Sequence, residues 1–440
     1  MSQDSKIVTV IGAGLAGCEA AWQLAARGIR VRLVEMKPNK KTPAHSSNDF
    51  GELVCSNSLR SDELSNAAGL LKEEMRRLGG LIISCADETR VPAGGALAVD
   101  REAFSGLITE KIRNNPNIEV VEEEAKSLPD GDVIIATGPL TSDAMAQEIE
   151  GLCSGAEFLN FYDAAAPIVT FDSIDMTKAY FASRYGKGTA DYINCPMSEE
   201  EYILFHKELT CAQEAPVHGF DDGGVFEGCM PVEVMARRGV DTLRYGPLKP
   251  VGLEDPKTGR EPFAVVQLRK DNAKGSIYNI VGFQTHLKFP EQRRVFSMIP
   301  GLENAEFVRY GVMHRNTYIN SPKFLDRYYR MKDNARVCFA GQITGVEGYI
   351  ESTASGMLCG IELARRILGQ EPVNFPKETA IGALALYVSE DTVANFQPMN
   401  INFGIVAPLG YKVRGKRNKN AAISARSLEM IDGITGGKSI

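Results

Sequence analysis

A short apolar run that ends in three spaced glycines constrains this chain more than any other feature. Ile7-Val8-Thr9-Val10-Ile11 is apolar and β-branched along nearly its whole length, the pattern of a strand buried on both faces of a parallel sheet. Gly12-Ala13-Gly14-Leu15-Ala16-Gly17 follows, an Ala-rich stretch of helical character runs on to Arg27, and Gly28 can end that helix. Val31-Arg32-Leu33-Val34 reads as the next strand, with Glu35 at its carboxyl end, 23 positions beyond Gly12. The glycines have separate duties: Gly12 permits a tight turn, Gly14 lets backbone approach a pyrophosphate, and Gly17 lets helix and strand pack closely. The helix start, Ala13 to Ala16, offers unpaired N–H groups and a positive dipole end to phosphates. Glu35 would accept a hydrogen bond from a ribose 2′-hydroxyl and would repel a 2′-phosphate. A purely structural glycine turn is the alternative, and the strand–turn–helix–acid context weighs against it.

The fingerprint alone does not separate FAD from NAD. Two later segments do. Gly131-Asp132-Val133-Ile134-Ile135-Ala136-Thr137-Gly138 and Val337-Cys338-Phe339-Ala340-Gly341-Gln342 repeat the grammar of a buried strand closed by a glycine turn. They fall where two-part FAD-binding sheets touch the cofactor a second and third time, through Ala136, Thr137, Gly138, Gly341 and Gln342. Gly345-Val346-Glu347-Gly348-Tyr349 then supplies flexible backbone suited to lie against an isoalloxazine ring, before a helix from about Ser352 to Leu368. No second G-x-G-x-x-G occurs, so FAD is favoured. The expected fold is α/β: a two-part Rossmann-like, glutathione-reductase-like FAD-binding domain over 1–150 and 331–440, with a smaller α+β domain inserted at about 151–330.

Composition narrows the function. With 440 residues, 44% hydrophobic and 24% charged, the chain can bury a sizeable core and is not disordered. A net charge of −7 excludes a generally basic coat for nucleic acid. Local basic clusters stand at Arg237-Arg238, at Arg293-Arg294 and, most densely, at Lys412, Arg414, Lys416, Arg417 and Lys419. The last cluster reads as a Gly-containing loop after Asn402-Phe403-Gly404, either a solvated face or a contact to a phosphate backbone. The start of the chain does not read as a signal peptide, and no run approaches the roughly 18 apolar residues of a membrane span. Nine scattered cysteines without a C-x-x-C fit reduced thiols in the cytoplasm. Five histidines lack metal-ligand spacing, so no metal is expected.

Two cysteines differ from the others. Cys55 sits in the polar segment Glu52-Leu53-Val54-Cys55-Ser56-Asn57-Ser58-Leu59-Arg60, and Cys229 in Phe226-Glu227-Gly228-Cys229-Met230-Pro231, with Arg237 and Arg238 downstream. Cationic neighbours make a thiolate more available; a small buried hydrophobe is the other reading, and the residues alone leave both open. Cys18, Cys338 and Cys359 lie on elements that read as buried.

These segments, with Val10 to Ala20, Ala340 to Tyr349 and Asn402-Phe403-Gly404, resemble the folate- and FAD-dependent tRNA (uracil-5-)-methyltransferases of bacteria, the TrmFO type, over essentially the full chain. The resemblance implies C5 methylation of the T-loop uridine of tRNA to ribothymidine. The carbon would come from methylenetetrahydrofolate, and NAD(P)H would recharge the flavin. Uracil C5 is a poor nucleophile until a thiolate adds at C6, and a methylene carbon needs a hydride to become methyl, which gives a methyltransferase its use for FAD. The resemblance assigns Cys229 as the C6 nucleophile and Cys55 as a second catalytic thiol near the flavin. Two neighbouring families share the local motifs: a wobble-uridine tRNA flavoprotein, expected to carry a long further C-terminal region, and a ribosomal-RNA uridine methylase. A disulfide reductase would need a dithiol and a second nucleotide fingerprint, which are missing. A non-catalytic flavin-bearing RNA-binding module is the remaining contrast.

Overall fold

The computed structural model describes residues 7–42, 44–153, 159–186, 189–215, 230–390 and 396–436. The apolar run forms β1 (Ile7–Ile11), in which Val8 and Val10 are fully enclosed, and the Ala-rich stretch forms α1 (Leu15–Ala26). Gly28, at φ +77°, turns the chain back into β2 (Arg30–Glu35). These strands join a five-stranded parallel sheet in the order 337–339, 133–135, β1, β2, 118–122. Residues more than 300 positions apart in sequence thus share one sheet, and all five strands point their carboxyl ends the same way.

What places the last helix of this layer is a row of small residues. Tyr349–Ile367 crosses α1 so closely that a Cβ on Gly356 would lie 2.2 Å from the Ala16 carbonyl oxygen, and one on Gly360 2.7 Å from that of Ala20. The helix therefore starts three residues earlier than its pattern predicts, and its N-terminal end is carried to the start of α1.

Two buried carboxylates fasten further helices to this layer. Glu19 on α1 accepts the N–H groups of Leu81 (3.2 Å) and Ile82 (2.9 Å), capping the helix Leu81–Glu88. Glu74 caps Ala380–Tyr387 through Ala380 (2.7 Å) and Ile381 (2.8 Å) and also takes the Ser427 hydroxyl. Both are completely buried, where an uncapped helix end would leave orphan N–H groups at considerable cost.

A second sheet, six-stranded and antiparallel, is built from residues between Ile168 and Arg309, in the order 180–182, 192–197, 264–270, 277–280, 168–170, 307–309. It has its own apolar core, separate from that of the parallel sheet. Among the described residues no helix is long and apolar enough to cross a membrane.

Candidate active site

At the carboxyl ends of the parallel strands the glycine turn opens into a cleft of about 1160 Å³, its open mouth included. Clefts at this end of a doubly wound sheet are where such folds bind ligands. Gly12 (φ +100°) is packed so tightly that a Cβ would sit 2.5 Å from the Ala136 carbonyl oxygen. Gly17 allows less still, since its Cβ would fall 1.8 Å from the Gly12 oxygen, and it supports the cleft from behind without lining it. Gly14 is the opposite case: nothing lies within 4 Å of where its Cβ would be, and it caps α1 with no side-chain hydrogen bond and no acid in the first turn. A bare helix N-terminus facing open space fits the pyrophosphate of a dinucleotide.

The other expected contacts gather around it. Ala13, Leu15, Ala16, Glu35, Ala136, Thr137 and Gly138 all line the cleft, together with Gly341 and Gln342 from the far end of the chain. Glu35 is also a local brace: its carboxylate accepts the N–H groups of Ala13 (2.7 Å) and Lys37 (3.0 Å) while still facing the cleft, which leaves lone pairs for a ribose. Gly341 (φ +86°) donates its N–H to the Ser355 hydroxyl oxygen (2.7 Å). Gly345 does not line this cleft. It lies against the Phe396 ring, where a Cβ would fall 2.5 Å from the ring carbons, so its left-handed turn (φ +80°) serves packing.

Cys55 stands beside the cleft, half-buried, next to two residues that line it, Val54 and Tyr349. The Tyr349 hydroxyl accepts the backbone N–H of Cys55 (2.9 Å) and of Ser56 (3.3 Å) and donates to the Cys55 sulfur (3.4 Å). Burial, and then the facing thiol, push the Tyr349 phenol well above its usual range, so it stays a proton donor at neutral pH. The second sheet braces the same loop. Arg269 donates to Asn57 (3.1 Å) and Ser56 (2.7 Å), and buried Asn57 donates to the carbonyls of Val99 and Lys270, both at 2.9 Å. Arg101 forms a two-point pair with Asp271 (2.9 and 2.8 Å) and also holds the Leu53 carbonyl. Burial opposes the charge on Arg101, but Asp271 outweighs it and the guanidinium stays firmly protonated, with its field reaching Cys55.

The cleft wall near Cys55 carries paired charges. Glu52 accepts from Ser46 N–H (2.9 Å), Ser46 hydroxyl (2.9 Å) and Ser47 N–H (3.2 Å); burial works against its ionisation, yet these donors and His45 hold it below the ordinary carboxylate range. Burial, then the Lys37 ammonium, push the His45 imidazole below its usual range.

Cys229 lies outside the described residues. Arg237 and Arg238 end the short helix Val232–Arg237 on the surface, where Arg237 is paired with Glu214. Lys412 and Arg414 lie in a loop as expected, but Lys416, Arg417 and Lys419 instead open the helix Lys416–Thr435. That helix was hidden because two of its buried positions are Ser424 and Ser427, which break the apolar rhythm. No ion pair among the described residues engages Lys412, Arg414, Lys416, Arg417 or Lys419. The sequence signals missed Arg101, Arg269 and Asp271 altogether. Tyr349, Ser56 and Asn57 stood inside segments already singled out, though not for this bracing.

The chain is similar to known proteins. Residues 7–371 match the family model of glucose inhibited division protein A. A protein of Acetivibrio thermocellus named methylenetetrahydrofolate--tRNA-(uracil-5-)-methyltransferase TrmFO is 62% identical over 96% of this chain and 97% of its own. One of Bacillus licheniformis bearing the same name is 58% identical over 98% of this chain and 99% of its own. Among solved structures, Aquifex aeolicus GidA has the same fold, with a TM-score of 0.71 at 16% identity, covering 99% of this chain and 74% of that one. The chain thus belongs to the TrmFO-type folate- and FAD-dependent tRNA methyltransferases within the glucose inhibited division protein A family.

Proposed function

We propose that this chain methylates C5 of the T-loop uridine of tRNA, with methylenetetrahydrofolate as carbon donor, FAD as bound cofactor and NAD(P)H as source of reducing equivalents. The observation that carries the reading is the Cys55 thiol, hydrogen-bonded by Tyr349 beside the dinucleotide cleft on a loop braced from the second sheet and from the helix Tyr349–Ile367. Reduced flavin, when bound, supplies the hydride that completes a methyl group from a methylene carbon. The free N–H groups at the start of α1 would hold the pyrophosphate, with Gly12, Ala13 and Gly14 letting the backbone come close, and the remaining lone pairs of Glu35 would take the ribose. Cys229 adds to uracil C6, which makes C5 nucleophilic. Cys55, beside Arg101 and Tyr349, acts as the second thiol near the flavin ring, since cations and donors favour its thiolate.

In this reading residues 1–150 and 331–440 hold the flavin, and 151–330 face the RNA. Lys412, Arg414, Lys416 and Arg417, together with Arg237 and Arg238, meet tRNA phosphates, and the work is done in the cytoplasm. An acidic chain needs only a few such contacts to bind one folded arm, so affinity should fall steeply with salt. The test is to incubate purified protein with methylenetetrahydrofolate, NAD(P)H and an unmodified tRNA transcript and to map the methyl group. Ribothymidine in the T-loop is expected. A methyl group on the wobble uridine, or only on ribosomal RNA, contradicts the proposal.

A further inference from the structure

Away from the cleft, three aromatic rings form one column on the second sheet. Tyr310 stacks on Phe289 (4.8 Å, 15° between planes) and on Phe307 (5.1 Å, 10°). Inside the core of the same sheet, Phe283 and Phe296 meet edge-on at 80°. A parallel column is the arrangement a stacked base would extend. One end, Phe307, packs against the second core, while Phe289 at the other end is 50% exposed. The column is held rigidly. Buried Gln292 donates to the carbonyls of Gly311 and Leu287, both at 2.7 Å, and accepts the Gly311 N–H at 2.8 Å, which locks the strand end bearing Tyr310 to the helix bearing Phe289.

A single exposed phenylalanine is ordinary. Here the surrounding charge makes the difference. Arg293 lies four residues from Phe289 on the helix Phe289–Phe296, hence on the same face. Neighbouring Arg294 is taken up by Glu291 and Glu208, whereas Arg293 forms no ion pair among the described residues. Among the described residues the exposed ammonium of Lys288 donates to the neutral Gln213 side chain, at 3.0 Å, and forms no ion pair. Two residues beyond Phe307, the half-buried side chain of Arg309 makes no hydrogen bond or ion pair among the described residues, and burial and then the Arg101 guanidinium work against its charge.

Resting on the function proposed above, we infer that Phe289, Tyr310 and Phe307 form a stacking platform for an unpaired base of the tRNA substrate, received on the open face of Phe289, with Lys288 and Arg293 on the adjoining phosphates. Stacked bases of this kind set affinities that fall roughly 5- to 150-fold when the ring is removed. The test uses FAD-loaded protein and unmodified tRNA transcript, with binding followed by fluorescence anisotropy. Phe289→Ala should weaken binding by that factor, and Phe289→Leu, which keeps apolar bulk and packing but lacks a flat face, should do the same. Flavin content and thermal midpoint serve as folding controls. Phe289→Trp should restore affinity, and its emission should be quenched by tRNA. Unchanged tRNA affinity in both the Ala and Leu variants overturns the platform. So does a raised KM for methylenetetrahydrofolate with RNA affinity intact, which would make the column a pteridine site. A wild-type protein that neither binds nor methylates tRNA overturns the proposed function itself.

Discussion

Replacing Tyr349 with phenylalanine isolates what one hydroxyl does for the Cys55 thiol. The ring stays, so apolar packing changes little, but three hydrogen bonds disappear: those from Cys55 N–H (2.9 Å) and Ser56 N–H (3.3 Å), and the one given to the sulfur (3.4 Å). A hydrogen bond to a charged acceptor contributes about 1.5–3 kcal/mol. At 3.4 Å from a half-buried sulfur the lower figure applies, and about 1.5 kcal/mol is roughly a tenfold smaller thiolate population at a fixed neutral pH. Two N–H groups without an acceptor cost a further ~1 kcal/mol or more of stability. The assay is alkylation by iodoacetamide with peptide mass mapping, using exposed Cys211 as the internal reference. Cys55 should react about tenfold more slowly relative to Cys211 in Tyr349→Phe, with flavin still bound. An unchanged ratio refutes the assigned hydrogen bond. Faster alkylation refutes it too, because it would mean that the hydroxyl mainly shields the loop.

Three other outcomes follow from the same geometry. Gly14→Ala should change the stability of the flavin-free protein by less than about 0.5 kcal/mol but lower FAD affinity, whereas Gly17→Ala should destabilise the fold by about 1–3 kcal/mol; chemical denaturation and flavin titration separate the two. Burial pushes the Glu74 carboxyl up to about 7, from an ordinary value of 4.5, against the pull of its three hydrogen-bond donors. The unfolded chain therefore ionises first, and stability is lost as pH rises from about 4.5 through 7, by about 3 kcal/mol from this group. Glu74→Gln should remove that slope, and a gap between wild type and variant that stays constant across this range contradicts it. Cys229→Ala should abolish methyl transfer while the protein remains yellow, and full turnover by that variant would take Cys229 out of the chemistry.

How much could be read beforehand depended on range in sequence. The turn from β1 through α1 to β2 was legible because backbone contact forbids a Cβ at Gly12 and Gly17, the cleft meets bare backbone at Gly14, and Gly28 takes a left-handed turn. The strands 133–135 and 337–339 were legible from their unbroken apolar character. The residues expected to touch the cofactor gather at one cleft, apart from Gly17, which packs behind it, and Gly345, which lies against the Phe396 ring. What stayed hidden was the brace around Cys55. Tyr349, Arg269 and Asp271 reach that part of the fold from 294, 213 and 170 positions away from their partners, and no local periodicity encodes such pairings. The helix Lys416–Thr435 was hidden for a different reason, since its buried face includes serines whose hydroxyls find the carbonyl of Leu64 and the carboxylate of Glu74.

The central claim is that the electrons which finish the methyl group come from flavin held in this cleft. Stoichiometry under a single turnover tests it most directly. Enzyme photoreduced without oxygen or NAD(P)H is mixed with methylenetetrahydrofolate and unmodified tRNA, and the return of the oxidised flavin band is followed beside the yield of ribothymidine. The account requires one flavin reoxidised for each methyl group formed. Methylation that proceeds while the flavin stays reduced, or that takes its methyl from S-adenosylmethionine, contradicts it.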